Sequence, residues 1–358
     1  MSAGSFPFCG GAPEGRGAFG AMDIVPCRLP CNSNPFFPEN PYIIETPAFK
    51  PAKEHQMSSE FDSLLPRTGF SRREFVVTAL GAGFALATHP VMADSAISTP
   101  ADGLLAGEVK IPAAGGEMPA YRAAPAEKPK DGTLPPLILV VQEVFGVHEY
   151  IKDICRRLAR LGYFAVAPEL YARHGDPRLY PNIQDLLEKL VSKVPDAEVL
   201  SDLDAAFAWA GSNGADAKRS GITGFCWGGR IVWLYCARNP QIRAGVAWYG
   251  RISGASTELT PQHPLDIAAA LKAPVQGLYA GEDQGIPASD VGAMRVALEQ
   301  AAKAGNTAAG QSRIHLYPGV PHAFHADYRP SYRKPEAEDG WRRMMEWFDR
   351  HGLPSTPL

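Results

Sequence analysis

Residues 220–229 read Ser-Gly-Ile-Thr-Gly-Phe-Cys-Trp-Gly-Gly. The β-prone run 220–225 stops at Phe225, and glycines stand two residues to either side of Cys226, with helical spacing resuming at 229. This is the G-x-nucleophile-x-G pattern of a strand that turns directly into a helix, with sulfur where oxygen is usual. The small flanking residues are a steric requirement: on so sharp a turn, side chains two positions away would collide. The turn lifts the nucleophile above the sheet edge and sets it at a helix N-terminus, where the dipole favours thiolate.

Working outward, Leu137-Ile138-Leu139-Val140-Val141 and Phe164-Ala165-Val166-Ala167 are continuous apolar runs, the signature of strands covered on both faces. Between them, Ile151, Ile154, Leu158 and Leu161 recur at helical spacing over 149–161, closed by Gly162. The same reading predicts helices at 183–193, 197–211, 229–238, 290–304 and 336–350. It predicts strands at 244–248, 274–280 and 312–317, with a leading hairpin within Leu105–Ala124 turning at Gly115-Gly116. Alternating buried strands and amphipathic helices imply an α/β fold: a mostly parallel, doubly wound sheet with helices on both faces, in a single domain.

In such sheets ligands sit beyond the carboxyl ends of the strands, so reactive side chains belong where strand runs stop. Four stops carry them. Cys226 follows 220–225. Gly281-Glu282-Asp283 follows 274–280 and offers two acids for orienting an imidazole. His322, in Pro318-Gly319-Val320-Pro321-His322, follows 312–317 and can move a proton between the thiol and a leaving group. Gln142-Glu143-Val144-Phe145-Gly146 follows 137–141; the backbone N–H groups of Val144 and Trp227 are the candidate oxyanion donors, and Glu143 beside them needs a task of its own. Nucleophile, acid, histidine is the chain order of α/β-hydrolases.

The chain has 358 residues, 20% charged, with a formal net charge of -3. That is globular composition without the basic patches of a nucleic-acid binder. Its six cysteines show neither CxxC pairs nor zinc-site spacing, so no metal, cofactor or disulfide framework is expected, and Cys155 and Cys236 read as inert core. Residues 1–56 are rich in Pro, Gly and Asn and read as a disordered leader or a misassigned start, translation then beginning at Met57. Residues 57–93 hold Arg72-Arg73, an apolar run from Phe75 to Ala87, too short for a stable membrane span, and a Val91-Met92-Ala93 cleavage site. This is similar to a twin-arginine signal, implying the export machinery as partner and a periplasmic or secreted product, cytoplasmic where the signal is unused. The catalytic domain is then 94–358.

Together, QEVFG (142–146), APELYAR (167–173), GFCWGG (224–229), GED (281–283) and PHAF (321–324) resemble the dienelactone hydrolase family over roughly residues 105–351. The resemblance implies an α/β-hydrolase fold and a Cys226–His322–Asp283 triad, selecting Asp283 over Glu282. It also implies that Glu143 helps deprotonate the cysteine once substrate binds, and that the substrate is a small ester or lactone. One departure stands out. Family members hold their substrate's carboxylate with arginines, one shortly after the catalytic histidine, whereas residues 322–327 here are His-Ala-Phe-His-Ala-Asp. Arg251, Arg178 and Arg173 are the alternative cations. Phe145, Trp227, Trp248 and Tyr249 line an aromatic pocket or simply pack the core. Two rivals remain: a broader esterase or peptidase with the same triad, and a noncatalytic ligand-binding or thiol-sensing protein.

Overall fold

A computed structural model describes residues 97–127 and 132–358. The leader and signal segments read from the sequence lie outside these residues. Eight strands form one sheet in the order β1-β2-β4-β3-β5-β6-β7-β8. β1 (Leu104–Ala113) and β2 (Gly116–Pro125) form an antiparallel hairpin, and β2 also pairs antiparallel with β4 (Phe164–Pro168). The remaining pairings, through β3 (Pro136–Val141), β5 (Asp216–Phe225), β6 (Ala244–Trp248), β7 (Val275–Ala280) and β8 (Arg313–Tyr317), are parallel.

The helices are α1 (Glu149–Arg160), α2 (Ile183–Lys189), α3 (Asp196–Ser212), α4 (Trp227–Arg238), α5 (Ala288–Lys303), the short α6 (Thr307–Gln311) and α7 (Lys334–Arg350). β6 shows how they divide. A Cβ on Gly245 would strike Cys236 and Val232 of α4, while the neighbouring-parity residue Trp248 packs so tightly under α7 that a Cβ on Gly340 would meet its ring at 2.6 Å. Successive strand residues face opposite ways, so α4 and α7 cover opposite faces. Every residue of β3, β4, β6 and β7 is buried, as the unbroken apolar runs of β3 and β4 lead one to expect, and β7 buries Gln276 as well; in edge strand β1 only Ile111 is buried. Cys155 and Cys236 are fully buried free thiols in this core.

Several boundaries differ from the sequence reading. β5 starts at Asp216 rather than 220, because its polar first residues extend the ladder past a register shift between Pro136 and Leu137. α4 starts at Trp227 rather than 229; the paired glycines are inside the helix, not before it. The helix expected over 183–193 ends at Lys189 and tightens to a 3₁₀ turn at Val191–Lys193. Among the described residues no helix is long and apolar enough to cross a membrane.

Candidate active site

Cys226 sits between β5 and α4 with φ 55 and ψ -119, a left-handed backbone that costs an L-residue energy. Its own N–H is consumed by Trp248 O at 3.0 Å, which fixes the turn. The flanking glycines are obligatory. A Cβ on Gly224 would lie 2.6 Å from Gly228 O, and one on Gly228 would lie 2.5 Å from Gln142 O. Among the described residues the non-glycines with positive φ are Cys226, Tyr249 and Ala323, which stand at the ends of β5 and β6 and beside His322. Backbone strain of this kind concentrates at functional sites.

Two strand ends away, Asp283 and His322 meet. His322 Nδ1 lies 2.5 Å from Asp283 Oδ2, both side chains are almost wholly buried, and Asp283 Oδ1 accepts the Gly285 N–H at 2.9 Å. Burial alone would push the imidazole down, but Asp283 and the Cys226 sulfur outweigh it and raise the pKa to about 10. The ring's other nitrogen, Nε2, is buried and makes no hydrogen bond of strict geometry, but Cys226 is near enough to raise its pKa both by charge and by a looser hydrogen bond. Edge-on contact with Tyr249, centroids 5.0 Å apart, holds the ring from the side.

The loop carrying His322 is clamped to α1. Asp327 Oδ2 pairs with Arg157 at 2.5 Å, and Arg157 also pairs with Asp153 at 2.5 Å. His325 is buried between Trp248, Phe225 and Trp341, with Nδ1 2.5 Å from the Tyr150 hydroxyl. Burial holds that imidazole well below its usual range, with Arg157 adding to the effect, so it serves as a neutral packing and hydrogen-bonding group.

Glu143 is 1% exposed. Its Oε2 accepts the Tyr328 hydroxyl at 2.7 Å and lies 3.1 Å from His148 Nε2. Burial pushes this carboxyl up, but His148, Tyr328 and the nearby Arg329 charge more than reverse it and keep the group ionised. Oε1 is buried without a hydrogen-bond partner. Val144 follows within a tight turn closed by Gly146 N–H to Glu143 O, and Trp227 is the first residue of α4, where helix N–H groups lack intrahelical acceptors.

The remaining sequence candidates separate. Phe145 and Tyr249 are buried at the site; Phe145 lies under the Arg329 guanidinium, 5.6 Å away, and the Tyr249 hydroxyl makes no hydrogen bond of good geometry. Arg251 turns onto its own loop, its Nε donating to Ser253 O at 2.6 Å. Arg173 is held by Asp202, Glu198 and Ala114 O, and Arg178 by Asp176. Trp248 is core, donating to Thr223 Oγ1 and stacked on Phe225. Sequence reasoning passed over His148, Tyr328 and Arg329. Arg329 lies seven residues beyond His322, just past the stretch inspected for a cation, and His148 belongs to the same loop as Glu143. Among the described residues no three His, Cys, Asp or Glu side chains gather as a metal site requires.

A mostly parallel eight-stranded sheet, with a strained strand-to-helix elbow followed by an acid and a histidine on later strand ends, defines an α/β-hydrolase. The chain belongs to the dienelactone hydrolase family, whose model matches residues 118–352. It is 57% identical over 296 residues to a Methylorubrum extorquens protein provisionally named carboxymethylenebutenolidase, covering 82% of this chain and 98% of that one. It is 53% identical over 277 residues to an Escherichia coli K12 protein of the same provisional name, covering 77% and 98%. A Klebsiella pneumoniae crystal structure, provisionally described as a dienelactone hydrolase, aligns with TM-score 0.65 and 53% identity, over 70% of this chain and all of that one.

Proposed function

We propose that this protein hydrolyses a small ester or lactone through a thioester on Cys226. The carrying observation is the buried His322–Asp283 pair beside the one cysteine of the described chain that stands on a strained, glycine-flanked turn. The imidazole, raised by Asp283 and by the charge of the Cys226 sulfur, favours its protonated form once the thiolate exists, and so serves as the acid for the leaving group. Glu143, kept ionised, is the group left to take the thiol proton.

The thiol S–H breaks as Glu143 accepts the proton, and the thiolate is stabilised by the imidazolium beside it. Sulfur attacks the acyl carbon, with the oxyanion held by the N–H groups of Trp227 and Val144. His322 protonates the departing alkoxide and becomes neutral. It then takes a proton from water as hydroxide adds to the thioester, and the expelled thiolate recovers its proton from Glu143. One water is consumed, and one acid and one alcohol leave. Arg329, above Phe145 and close enough to lower the Glu143 pKa, adds positive charge beside the carboxylate.

Turnover of an activated aryl ester and of a butenolide lactone by Cys226→Ala tests the assignment. Loss of both activities is expected; turnover at the wild-type rate refutes it. The family relationship favours lactones over peptides, and a substrate panel including short peptides separates the two. The N-terminal twin-arginine-like segment supports export to the periplasm as a companion proposal, tested by fractionating cells that express wild-type and Arg72→Lys/Arg73→Lys chains.

A further inference from the structure

Glu143 occupies a position that ordinarily neutralises a carboxyl group: it is 1% exposed, and the two side chains bonded to it, His148 and Tyr328, pack on each other. Both donors that it has fall on one oxygen, Oε2, from His148 Nε2 and the Tyr328 hydroxyl. The second oxygen, Oε1, is buried with nothing bonded to it. A buried acceptor left without a donor is costly, and such groups persist where they have chemistry to perform.

The two donors come from different parts of the chain and neither is free to turn. His148 is the N-cap residue of α1, five residues beyond Glu143. Tyr328 belongs to the loop that carries His322. Their rings meet edge-on with centroids 5.1 Å apart, and Tyr150 packs against both, at 6.0 Å from His148 and 5.3 Å from Tyr328. The charged and titratable groups around Glu143 are therefore His148 and Tyr150 from the α1 end, Tyr328 and Arg329 from the histidine loop, and Tyr249 from the end of β6. Tyr249 connects this cluster to the nucleophile: burial first, then the charges of Glu143, Tyr328 and Cys226, raise its hydroxyl well above its usual range. Carboxylate and sulfur thus both act on one tyrosine hydroxyl, from the ends of the adjacent strands β3 and β5.

We propose that His148 and Tyr328 are positioning residues that pin Oε2 of Glu143 and leave Oε1 as the carboxylate oxygen that accepts the Cys226 proton. The inference rests on the thiol-hydrolase reading above and deepens it. The latch also ties the loop bearing the base to the loop bearing the imidazolium, so the two proton-handling groups keep a fixed separation. In the step it serves, the S–H bond of Cys226 breaks, an O–H bond forms on Oε1, and the Oε2 contacts persist throughout.

The test measures two pH profiles, alkylation of Cys226 by iodoacetamide and kcat/KM for an aryl ester. The proteins are the wild type, His148→Phe, His148→Gln, Tyr328→Phe, Glu143→Gln and the His148→Phe/Glu143→Gln double variant. Without a donor on Oε2, burial is less compensated, so the acid limb of both profiles should move up by about one pH unit or more in His148→Phe and Tyr328→Phe. His148→Gln, whose amide can still donate, should restore most of the shift. In the Glu143→Gln background, adding His148→Phe should leave the profile where Glu143→Gln alone puts it. Tyr328→Phe removes a single oxygen, which guards against a variant that merely unfolds. An unmoved limb in folded His148→Phe and Tyr328→Phe overturns the latch, as does an equal His148→Phe shift with and without the Glu143 carboxylate. Wild-type turnover by Cys226→Ala is a different failure: it removes the hydrolase reading itself, whatever the latch variants do.

Discussion

His322 Nδ1 and Asp283 Oδ2 stand 2.5 Å apart although 39 residues separate them in the chain, and both side chains are buried. The carboxylate orients the ring and raises its pKa to about 10 against the opposing effect of burial. In Asp283→Asn the burial effect is left with less opposition, so the protonated imidazole is less favoured, and the ring loses the partner that orients it. We expect kcat for an aryl ester to fall by roughly 10³–10⁴-fold, comparable to loss of the acid in other triads. Steady-state kinetics on the folded variant checks this.

The same pair sets a pH dependence. A histidine whose folded pKa lies above its unfolded value of 6.5 stabilises the protein fully below that value, and the contribution is lost as pH rises through about 10. Wild-type protein should therefore lose stability between about pH 6.5 and 10 relative to Asp283→Asn, measured as the difference in urea midpoints. The basic limb of kcat should lie near pH 10 in the wild type and move toward neutrality in the variant.

Arg157 holds the histidine loop through Asp327 and α1 through Asp153, and its side chain is 15% exposed. Asp327→Ala leaves that cation short of one partner in a low-dielectric setting. The expected cost is about 1–3 kcal/mol, below the ~3–5 kcal/mol of a buried charge left unpaired, because Asp153 still holds the guanidinium. Chemical denaturation reads the loss, and hydrogen exchange should show it concentrated in residues 322–333.

Gly228→Ala would place a methyl group 2.5 Å from the Gln142 carbonyl oxygen, a backbone atom that cannot rotate aside. We expect destabilisation of at least about 1–3 kcal/mol together with loss of activity, because the turn must open to admit the methyl. Gly292→Ala is the control: a Cβ there meets nothing within 4 Å, and on a helix alanine should be neutral or stabilising. Thermal melts of the two variants make the comparison.

Where the chemistry attaches to a strand end, the sequence exposed it. Buried strands such as β3 and β4 announce themselves as unbroken apolar runs. Cys226, Asp283 and His322 follow the parallel strands β5, β7 and β8, so topology brings them to a common edge, although β8 carries Arg313 and His315 and is only partly buried. The Glu143 latch was invisible for a physical reason. Tyr328 stands 185 residues from Glu143, and no periodicity records which tyrosine will meet which carboxylate across two loops. Arg251, Arg173 and Arg178 had the charge expected of a carboxylate anchor, but neighbouring carbonyls and carboxylates claim each of them. Element ends moved where polar residues extended a buried ladder, as at Asp216, or where glycines entered a helix, as at Gly228 and Gly229. Such shifts follow from tertiary packing that outweighs local propensity.

Rapid mixing with p-nitrophenyl acetate, acid quench and peptide mapping by mass spectrometry probes the nucleophile directly. A single acetyl group should appear on the peptide containing Cys226 within one turnover and decay as the acid is released. Acetyl found on a different side chain, or steady turnover with Cys226 never modified, would contradict the thioester mechanism.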